Sequence, residues 1–543
     1  MRKPILLTLA FIPFMAFAQQ SLTVTVDSAG NLLKRITEAR KYKNTELIIK
    51  GPINGTDVTL INDIAKHKID KGDASTYLLK RIDLSDAEIV EGKAGMKTKA
   101  NVMPDKWFAD CKNLEAVVLP NTITNIGEHA FDGCTNLVSV TIPSSVRLID
   151  NGAFQDCKNI KEISLPSSLN KIDNHAFDNC QGLTSVTIPN SVTEMDGSAF
   201  KDCVNLTSVV ISDNVKSIES STFENCKSLS SVTLPNALTS IGSSAFKGCK
   251  SLPAIIIPSS IKEVGSHSFD GCENITQMIL SNNMKSIGSH AFMDCKSLTE
   301  VQISGNVSTI STSSFENCTS LTSVTLPNTV RKIESHAFDG CKSLPSIELP
   351  TTVENIDNHA FDGCISLTTI NIPGSVNKLG SNIFKDCKSL KSIDMKVTTI
   401  KEIDNGTFSG CSSLLEVGLP ISLTEIGDDV FEDCISLNSI VLPNTIVNIG
   451  SSVFAGCVGL TSIEMPNSLK KIGRNTFNGC VALMRIKMNA ATPPECASDN
   501  VFKKVPVASC LLEVPGACKT NYQNAKVWKD FNNIKEMVLM PVK

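Results

Sequence analysis

The sequence predicts a solenoid that is mainly β with short helical turns: 17 stacked coils, a parallel sheet along one face, and a cap at each end. Three observations carry this expectation. The phrase F-x-[DGN]-C occurs 17 times, from Phe108/Cys111 to Phe477/Cys480. Its step is 23 residues from Cys111 to Cys387, 24 from Cys387 to Cys411, and 23 again to Cys434, Cys457 and Cys480. Within each step, short apolar–polar alternations end at a proline or a turn residue, which is strand periodicity and strand punctuation.

The stretch Gly182 to Cys203 serves as a specimen coil. Leu183, Val186, Ile188, Val192, Met195, Ala199, Phe200 and Cys203 are its apolar positions. Ser185 to Ile188 alternates outward and inward, and Pro189 ends that strand because proline has no ladder donor. Asn190-Ser191 makes a turn, and Val192 to Met195 is a second short extended stretch. Ser198 to Asp202 suits a single helical turn. It is closed by Asp, Gly or Asn in every copy, residue types that tolerate a left-handed backbone. One such coil cannot bury its own apolar face, whereas stacked coils bury it against each other. At the ~4.8 Å spacing of paired strands, 17 coils would make a body roughly 80 Å long.

The columns formed by Phe131/Cys134, Phe154/Cys157, Phe177/Cys180, Phe200/Cys203 and their equivalents are expected to be core packing. Cysteine packs as a small hydrophobe. Thiols that leave the backbone in one common direction do not converge as a disulfide requires. No second ligand type accompanies each Cys at zinc spacing, so no metal is expected there. The 24-residue step carries Lys396-Val397-Thr398-Thr399-Ile400 in place of a proline turn, and a one-residue bulge is expected at that point.

Both ends depart from the repeat, as caps on raw sheet edges should. The chain divides into residues 1–18 (an export signal), 19–106 (a leading cap with irregular coils), 107–488 (the repeats) and 489–543 (a closing cap). Arg2 and Lys3, the apolar run Ile5 to Phe14 and Ala16-Phe17-Ala18 occur in the order of a cleaved signal, so the protein is expected to be exported, secreted or at the cell surface. In the leading cap, Glu46 to Ile49 and Leu78 to Leu84 read as strands and Leu32 to Tyr42 as a helix. In the closing cap, Cys510 to Val514 reads as a strand, and Tyr522, Trp528 and Phe531 fall on a predicted helix. Cys496, Cys510 and Cys518 lie outside the column. A Cys496–Cys510 bridge and three free thiols are both open readings.

Charge and composition exclude several functions. The net charge is −4 with 20% charged residues, so no field steers the chain toward nucleic acid or anionic lipid. Beyond the N-terminus no apolar run reaches the ~18 residues of a membrane span. Of the 34 outward strand positions, 15 are Ser or Thr, six are acidic and two are basic. None is aromatic, and Tyr42, Tyr77, Trp107, Tyr522 and Trp528 all lie off this face. Nucleic acid would need a basic stripe, glycan stacking would need aromatic rings, and tight protein hot spots favour Trp, Tyr and Arg. A partner on this face would therefore gain strength from many weak contacts. Val210, Ile256 and Ile279 are the nearest thing to an apolar anchor, with Glu300, Gln302, Glu348 and Asp394 as further candidate contacts; ordinary β-propensity explains the apolar three equally well.

Six of the seven histidines, His129, His175, His267, His290, His336 and His359, share the slot two residues before the Phe. Other copies place small or polar residues there, Ser, Gly and Asn among them, which marks a surface turn rather than a metal or pH-sensing site. There is no G-x-S-x-G, H-E-x-x-H, P-loop or dinucleotide fingerprint. No catalytic residue and no cofactor is expected.

The unit L-x-x-[VI]-x-[IL]-P-x-[ST]-[VIL]-x-x-[IL]-[GD]-x-x-[AST]-F-x-x-C, clean at Leu137 to Cys157 and Leu321 to Cys341, resembles the BspA-like class of bacterial leucine-rich repeats over residues 108–488. The flanks resemble it too, through Gly51 to Asp57 with Leu84-Ser85-Asp86-Ala87 and through Val514-Pro515, Tyr522, Trp528 to Phe531 and Ile534. The resemblance implies a horseshoe-like leucine-rich-repeat solenoid, secreted or on a bacterial surface, that binds host matrix proteins or other cells. The expected function is thus a non-catalytic, adhesin-like binding protein with a protein or cell-surface partner. A structural or self-associating spacer is the alternative, and a carbohydrate-associated binding protein is less favoured.

Overall fold

The computed structural model describes residues 20–68 and 78–537; the export signal expected at 1–18 and Tyr77 lie outside the described residues. The chain forms two compact units, Met1–Leu183 and Thr184–Lys543.

In the first unit the strands Ser21–Thr25, Glu46–Ile53, Arg81–Asp83, Ala116–Val118 and Ser139–Thr141 pair in parallel in that order. Leu22, Leu47, Ile82, Val117 and Val140 share one row of the register. A second row of two-residue strands aligns Ile126, Ile149 and Ile172, all fully buried. The helix expected from Leu32 to Tyr42 is only one turn, Leu32–Arg35. The longer helix is Gly55–Lys66, which sequence reading missed. Its start is fixed by a capping box: Asn54 Oδ1 accepts from Thr56 N at 3.1 Å and Asp57 Oδ2 from Asn54 N at 3.0 Å. The buried Asp57 carboxylate also accepts from Leu32 N at 2.9 Å, tying the short helix to the long one. The 23-residue phrase is absent from this segment, so repeat reasoning had no purchase on it.

The second unit, taken by itself, also has two strand rows. Ser185–Thr187, Ser208–Val210 and Ser231–Thr233 pair in parallel, as do Gln277–Leu280, Glu300–Ile303 and Ser323–Thr325, and then Ser346–Ile347 through Glu416–Gly418. The ladder is interrupted at 254–257. Pro253, like Pro345 four coils later, stands where most coils present an N–H to the preceding carbonyl, as Thr207 N does to Thr184 O at 2.8 Å.

Each coil turns back through two left-handed residues. The residue before every column cysteine has positive φ, from 55° at Asp202 to 85° at Gly479. The slot two before each Phe is left-handed as well, as at Ser198 (56°) and His336 (58°). Asp, Asn and Gly tolerate that region, which accounts for the composition of both slots.

Aromatic rings run along the interior of each unit. Trp107, Phe108, Phe131, Phe154 and Phe177 stack with centroids 4.7–5.4 Å apart in the first unit. Phe200, Phe223 and Phe246 open a continuous series in the second, at 5.8 and 5.4 Å, which ends with Phe477 on Phe502 at 5.4 Å. The column cysteines are buried free thiols. Cys134 Sγ donates to Phe108 O at 2.9 Å and Cys226 Sγ to Phe200 O at 3.2 Å, a bond that reaches into the preceding coil.

One open reading is decided and two cap and turn expectations are corrected. Cys496 and Cys510 are free thiols, not a disulfide. Cys496 pairs with Ile472 in one strand row, whereas Cys510 leads into Leu511–Val514 in the other, so the topology sends them to different sheets. Tyr522, Trp528 and Phe531 do not share a helix. Tyr522 lies on Lys519–Asn524 and Trp528 on the short 3-10 turn Trp528–Asp530, separated by Val527 at φ 70°. The extra residue of the 24-residue step does not bulge a strand, since Ser392–Asp394 stays in register with Thr369–Asn371 and Glu416–Gly418. It is taken up in the following turn, where the buried Thr398 bonds Met395 O through its N (3.0 Å) and Oγ1 (2.8 Å).

Candidate functional site

Strand alternation in the second unit gives one inward and one outward set of side chains. Val186, Val209 and Val301 point inward and are buried, while Val210, Ile256 and Ile279 point outward at 50%, 87% and 60% exposure. Thr187, Val210 and Thr233 are register partners, and so are Ile279, Gln302 and Thr325. Asn371, Asp394 and Gly418 stand in the same outward position further along. At a constant 23-residue step, Val210, Ile256, Ile279, Gln302, Glu348 and Asp394 belong to one outward column. Glu300 belongs to the neighbouring outward column, beside Gln302, whose Nε2 donates to Glu300 Oε1 at 2.6 Å. The candidates thus form a line, apolar at its start and acidic at its end. Eight coil steps separate Val210 from Asp394, roughly 38 Å at strand spacing, so they do not converge on a pocket. Ile256, the most exposed of them, lies in the coil that lacks a ladder donor at Pro253.

The histidine slot is a locked turn. His267 Nδ1 shares a hydrogen bond with Asp270 Oδ2 at 3.0 Å, His336 with Asp339 at 2.8 Å and His359 with Asp362 at 2.9 Å. Rings on neighbouring coils stack, His267 on His290 at 4.5 Å and His336 on His359 at 4.7 Å. At His290, Met293 replaces the aspartate, and burial together with the adjacent His267 lowers the imidazole pKa. Among the described residues no group of three or more His, Cys, Asp or Glu is arranged to hold a metal ion.

The column thiols are poor nucleophiles, because burial disfavours the thiolate. It pushes Cys111 and Cys480 up to about 12 and Cys226 and Cys295 well above the usual thiol range. The cap aromatics offer no stacking platform. Tyr522 and Trp528 are fully buried, with Tyr522 Oη donating to Ala490 O at 2.7 Å and Trp528 Nε1 to Pro494 O at 3.0 Å.

Sequence reasoning missed a further set of exposed apolar residues, among them Leu415, Ile421, Ile435, Val441, Val458 and Val481. One signal was available. The residue after the column cysteine is Lys at 112, 158, 227, 250, 296, 342 and 388, but Ile or Val at 204, 365, 435, 458 and 481.

Stacked parallel coils of about 23 residues, an outward polar face and a buried aromatic core define a repeat scaffold of the leucine-rich type. The chain belongs to the BspA-type leucine-rich repeat region family, whose model matches residues 101–230, 216–344, 308–436 and 424–510. Proteins of this family are generally non-catalytic and typically secreted or at the surface. The chain is similar to a leucine-rich repeat protein from Bacteroides ovatus at 24% identity (84% of this chain, 92% of that one, TM-score 0.41). It is also similar to a leucine-rich cell surface protein from Faecalibacterium prausnitzii at 26% identity (72% and 88%, TM-score 0.34). A third similar structure is the leucine-rich repeat protein of T. pallidum at 28% identity (40% and 86%, TM-score 0.28). A comparison with curated proteins found no match. No helix among the described residues is long and apolar enough to cross a membrane.

Proposed function

We propose that this chain is an exported, adhesin-like binding protein that engages a protein or cell-surface partner along the outward strand column of its second unit. The observation that carries the reading is the run Val210, Ile256 and Ile279, half or more exposed on an otherwise Ser/Thr-rich face, followed by Gln302, Glu348 and Asp394 in the same column with Glu300 alongside. Isolated exposed apolar residues need no explanation, but a column of them with a polar continuation suits an extended partner. Without Trp, Tyr or Arg at its centre, such a face binds through summed modest contacts and gains from multivalent display. The buried tyrosine and tryptophan of the closing cap weigh against the carbohydrate reading.

The test is capture of partners from host-cell surface and matrix extracts by the protein displayed in many copies on beads. The triple variant Val210→Ser, Ile256→Ser, Ile279→Ser should lose most of the captured material while melting like the parent. Undiminished capture by the triple variant would remove this column as the binding surface.

A further inference from the structure

We infer that the second unit is jointed. The coils 392–411 and 416–434 form a block tied to the coil before it through one strand row and to the coil after it through the other. This joint does not rest on the binding column proposed above. Inside the block both rows are intact: Ser392–Asp394 pairs with Glu416–Gly418, and Glu402–Ile403 with Glu425–Ile426. Leu415 N to Lys391 O (2.9 Å) and Thr424 N to Lys401 O (2.8 Å) are among the bonds that close the two rows.

At the leading seam only the row of longer strands survives, with Thr369–Asn371 against Ser392–Asp394. The row of two-residue strands breaks: the sheet that holds Lys378–Leu379 ends there, and Glu402–Ile403 begins another. Among the described residues no backbone hydrogen bond joins 376–380 to 399–404. The extra residue of the 24-residue step is the cause. Four residues, Lys396 to Thr399, separate Met395 from Ile400, where three, Pro327 to Thr329, separate Leu326 from Val330. In the two preceding coils a hydroxyl stitches this turn to its neighbour, Thr352 Oγ1 donating to Val330 O at 2.7 Å and Ser375 Oγ to Val353 O at 2.6 Å. A concavity of about 360 Å³ lies at the break instead, walled by Asn377, Lys378, Thr399, Lys401, Glu402 and Asp404. Another seam that loses this row keeps a bond across it, Ser311 Oγ to Ile287 O at 2.7 Å.

At the closing seam the pattern inverts. Glu425–Ile426 pairs onward with Asn448–Ile449, so the row of two-residue strands continues. The row of longer strands stops at Glu416–Gly418, and among the described residues no backbone hydrogen bond joins 415–419 to 438–442. Val441 bridges onward to Glu464, and a concavity of about 590 Å³ lies behind it.

The stability of stacked repeats is a sum of coil and interface contributions. A seam with one row of rungs therefore opens at lower cost than a seam with two. The surviving row is the pivot, and it differs at the two ends, so the block tilts about one row where it begins and about the other where it ends. The core is not parted, because the ring stack crosses both seams, Phe384 on Phe408 at 5.7 Å and Phe431 on Phe454 at 5.6 Å.

Three matched amides report on these seams. Phe384 N bonds Thr407 O at 2.9 Å across the leading seam, Phe408 N bonds Val430 O at 2.9 Å inside the block, and Phe431 N bonds Val453 O at 2.8 Å across the closing seam. Native-state hydrogen exchange should run about tenfold faster at Phe384 and Phe431 than at Phe408. Deletion of Val397, which is 72% exposed, restores the 23-residue step. It should slow Phe384 to the rate of Phe408 and leave Phe431 unchanged. Pulsed alkylation of the native protein gives a second readout. Cys411 Sγ donates to Phe384 O (3.1 Å) across the leading seam and Cys434 Sγ to Phe408 O (3.2 Å) inside the block, so Cys411 should label first. Equal exchange at the three amides, equal labelling of the two thiols, or a folded deletion variant in which Phe384 exchanges as fast as before would each overturn the joint. The comparisons within the unaltered chain decide the matter even if the deletion variant does not fold.

Discussion

The inward and outward columns of the second unit are built on the same coils and obey opposite rules. Inward, the Phe and Cys slots are occupied by Phe and Cys in every coil from Phe200/Cys203 to Phe477/Cys480. Outward, Val210, Thr233, Ile256, Ile279, Gln302, Thr325, Glu348, Asn371 and Asp394 share almost nothing but their spacing. The inward ring of one coil is the wall of the next, so each must match two neighbours in volume. The outward side chain meets water and is free to vary. Structure is therefore written in the repeated slots, and the proposed binding column lies in the unrepeated ones.

The sharpest way to break this contrast is alkaline pH. Burial holds the column thiols protonated, with Cys111 and Cys480 pushed up to about 12 and Cys226, Cys295 and Cys434 raised further. In the unfolded chain a thiol ionises near ~8.5. Below about pH 8 both states keep these protons and the thiols make no pH-dependent contribution. As pH rises past that point, the unfolded chain releases protons that the folded chain retains, so stability falls, by up to about 1.4 kcal/mol per pH unit for each thiol. Denaturant midpoints should hold steady from pH 6 to 8 and drop steeply between 9 and 11. A flat profile across that range would mean that the thiols are not buried.

Next in size is the loss of one interior ring. Phe292 stacks on Phe269 and Phe315 at 5.4 Å on both sides and is fully buried. Phe292→Ala should cost about 3–5 kcal/mol in urea unfolding. Because each coil touches only its neighbours, hydrogen exchange should rise most in the adjoining coils. A cost under about 1 kcal/mol would contradict the shared-wall picture.

The smallest expected effect is on the outward column. Ile256→Ser removes a side chain that is 87% exposed and should change stability by no more than about 0.5 kcal/mol. A larger loss would show that Ile256 packs against something in the folded protein and is not free for a partner.

Much of the fold was legible in the sequence because one geometric constraint is printed 17 times. The left-handed turn before each cysteine was readable from its restriction to Asp, Asn and Gly. The helix Gly55–Lys66 was not, because it occurs once and its capping signal, Asn54 with Asp57, is short. The second left-handed slot was hidden because it admits His, Ser and even Lys106, whose strain the coil-to-coil bonds offset. Of the candidate site, Val210, Ile256 and Ile279 were found because strand alternation alone gives their direction. The exposed Ile435, Val458 and Val481 were passed over because they lie in a turn, where alternation says nothing about exposure.

By itself the sequence determined the coil, its period, its buried columns and the sign of its surface charge, since each follows from local periodicity repeated against identical neighbours. Only the tertiary structure decided which coils lose their ladder bonds, where the extra residue at the 24-residue step is absorbed, that Cys496 and Cys510 go to different strand rows, and which unrepeated apolar side chains face water. Those outcomes depend on how a given coil meets the coils on either side of it, and that information is shared between segments 23 residues apart rather than held within any one of them.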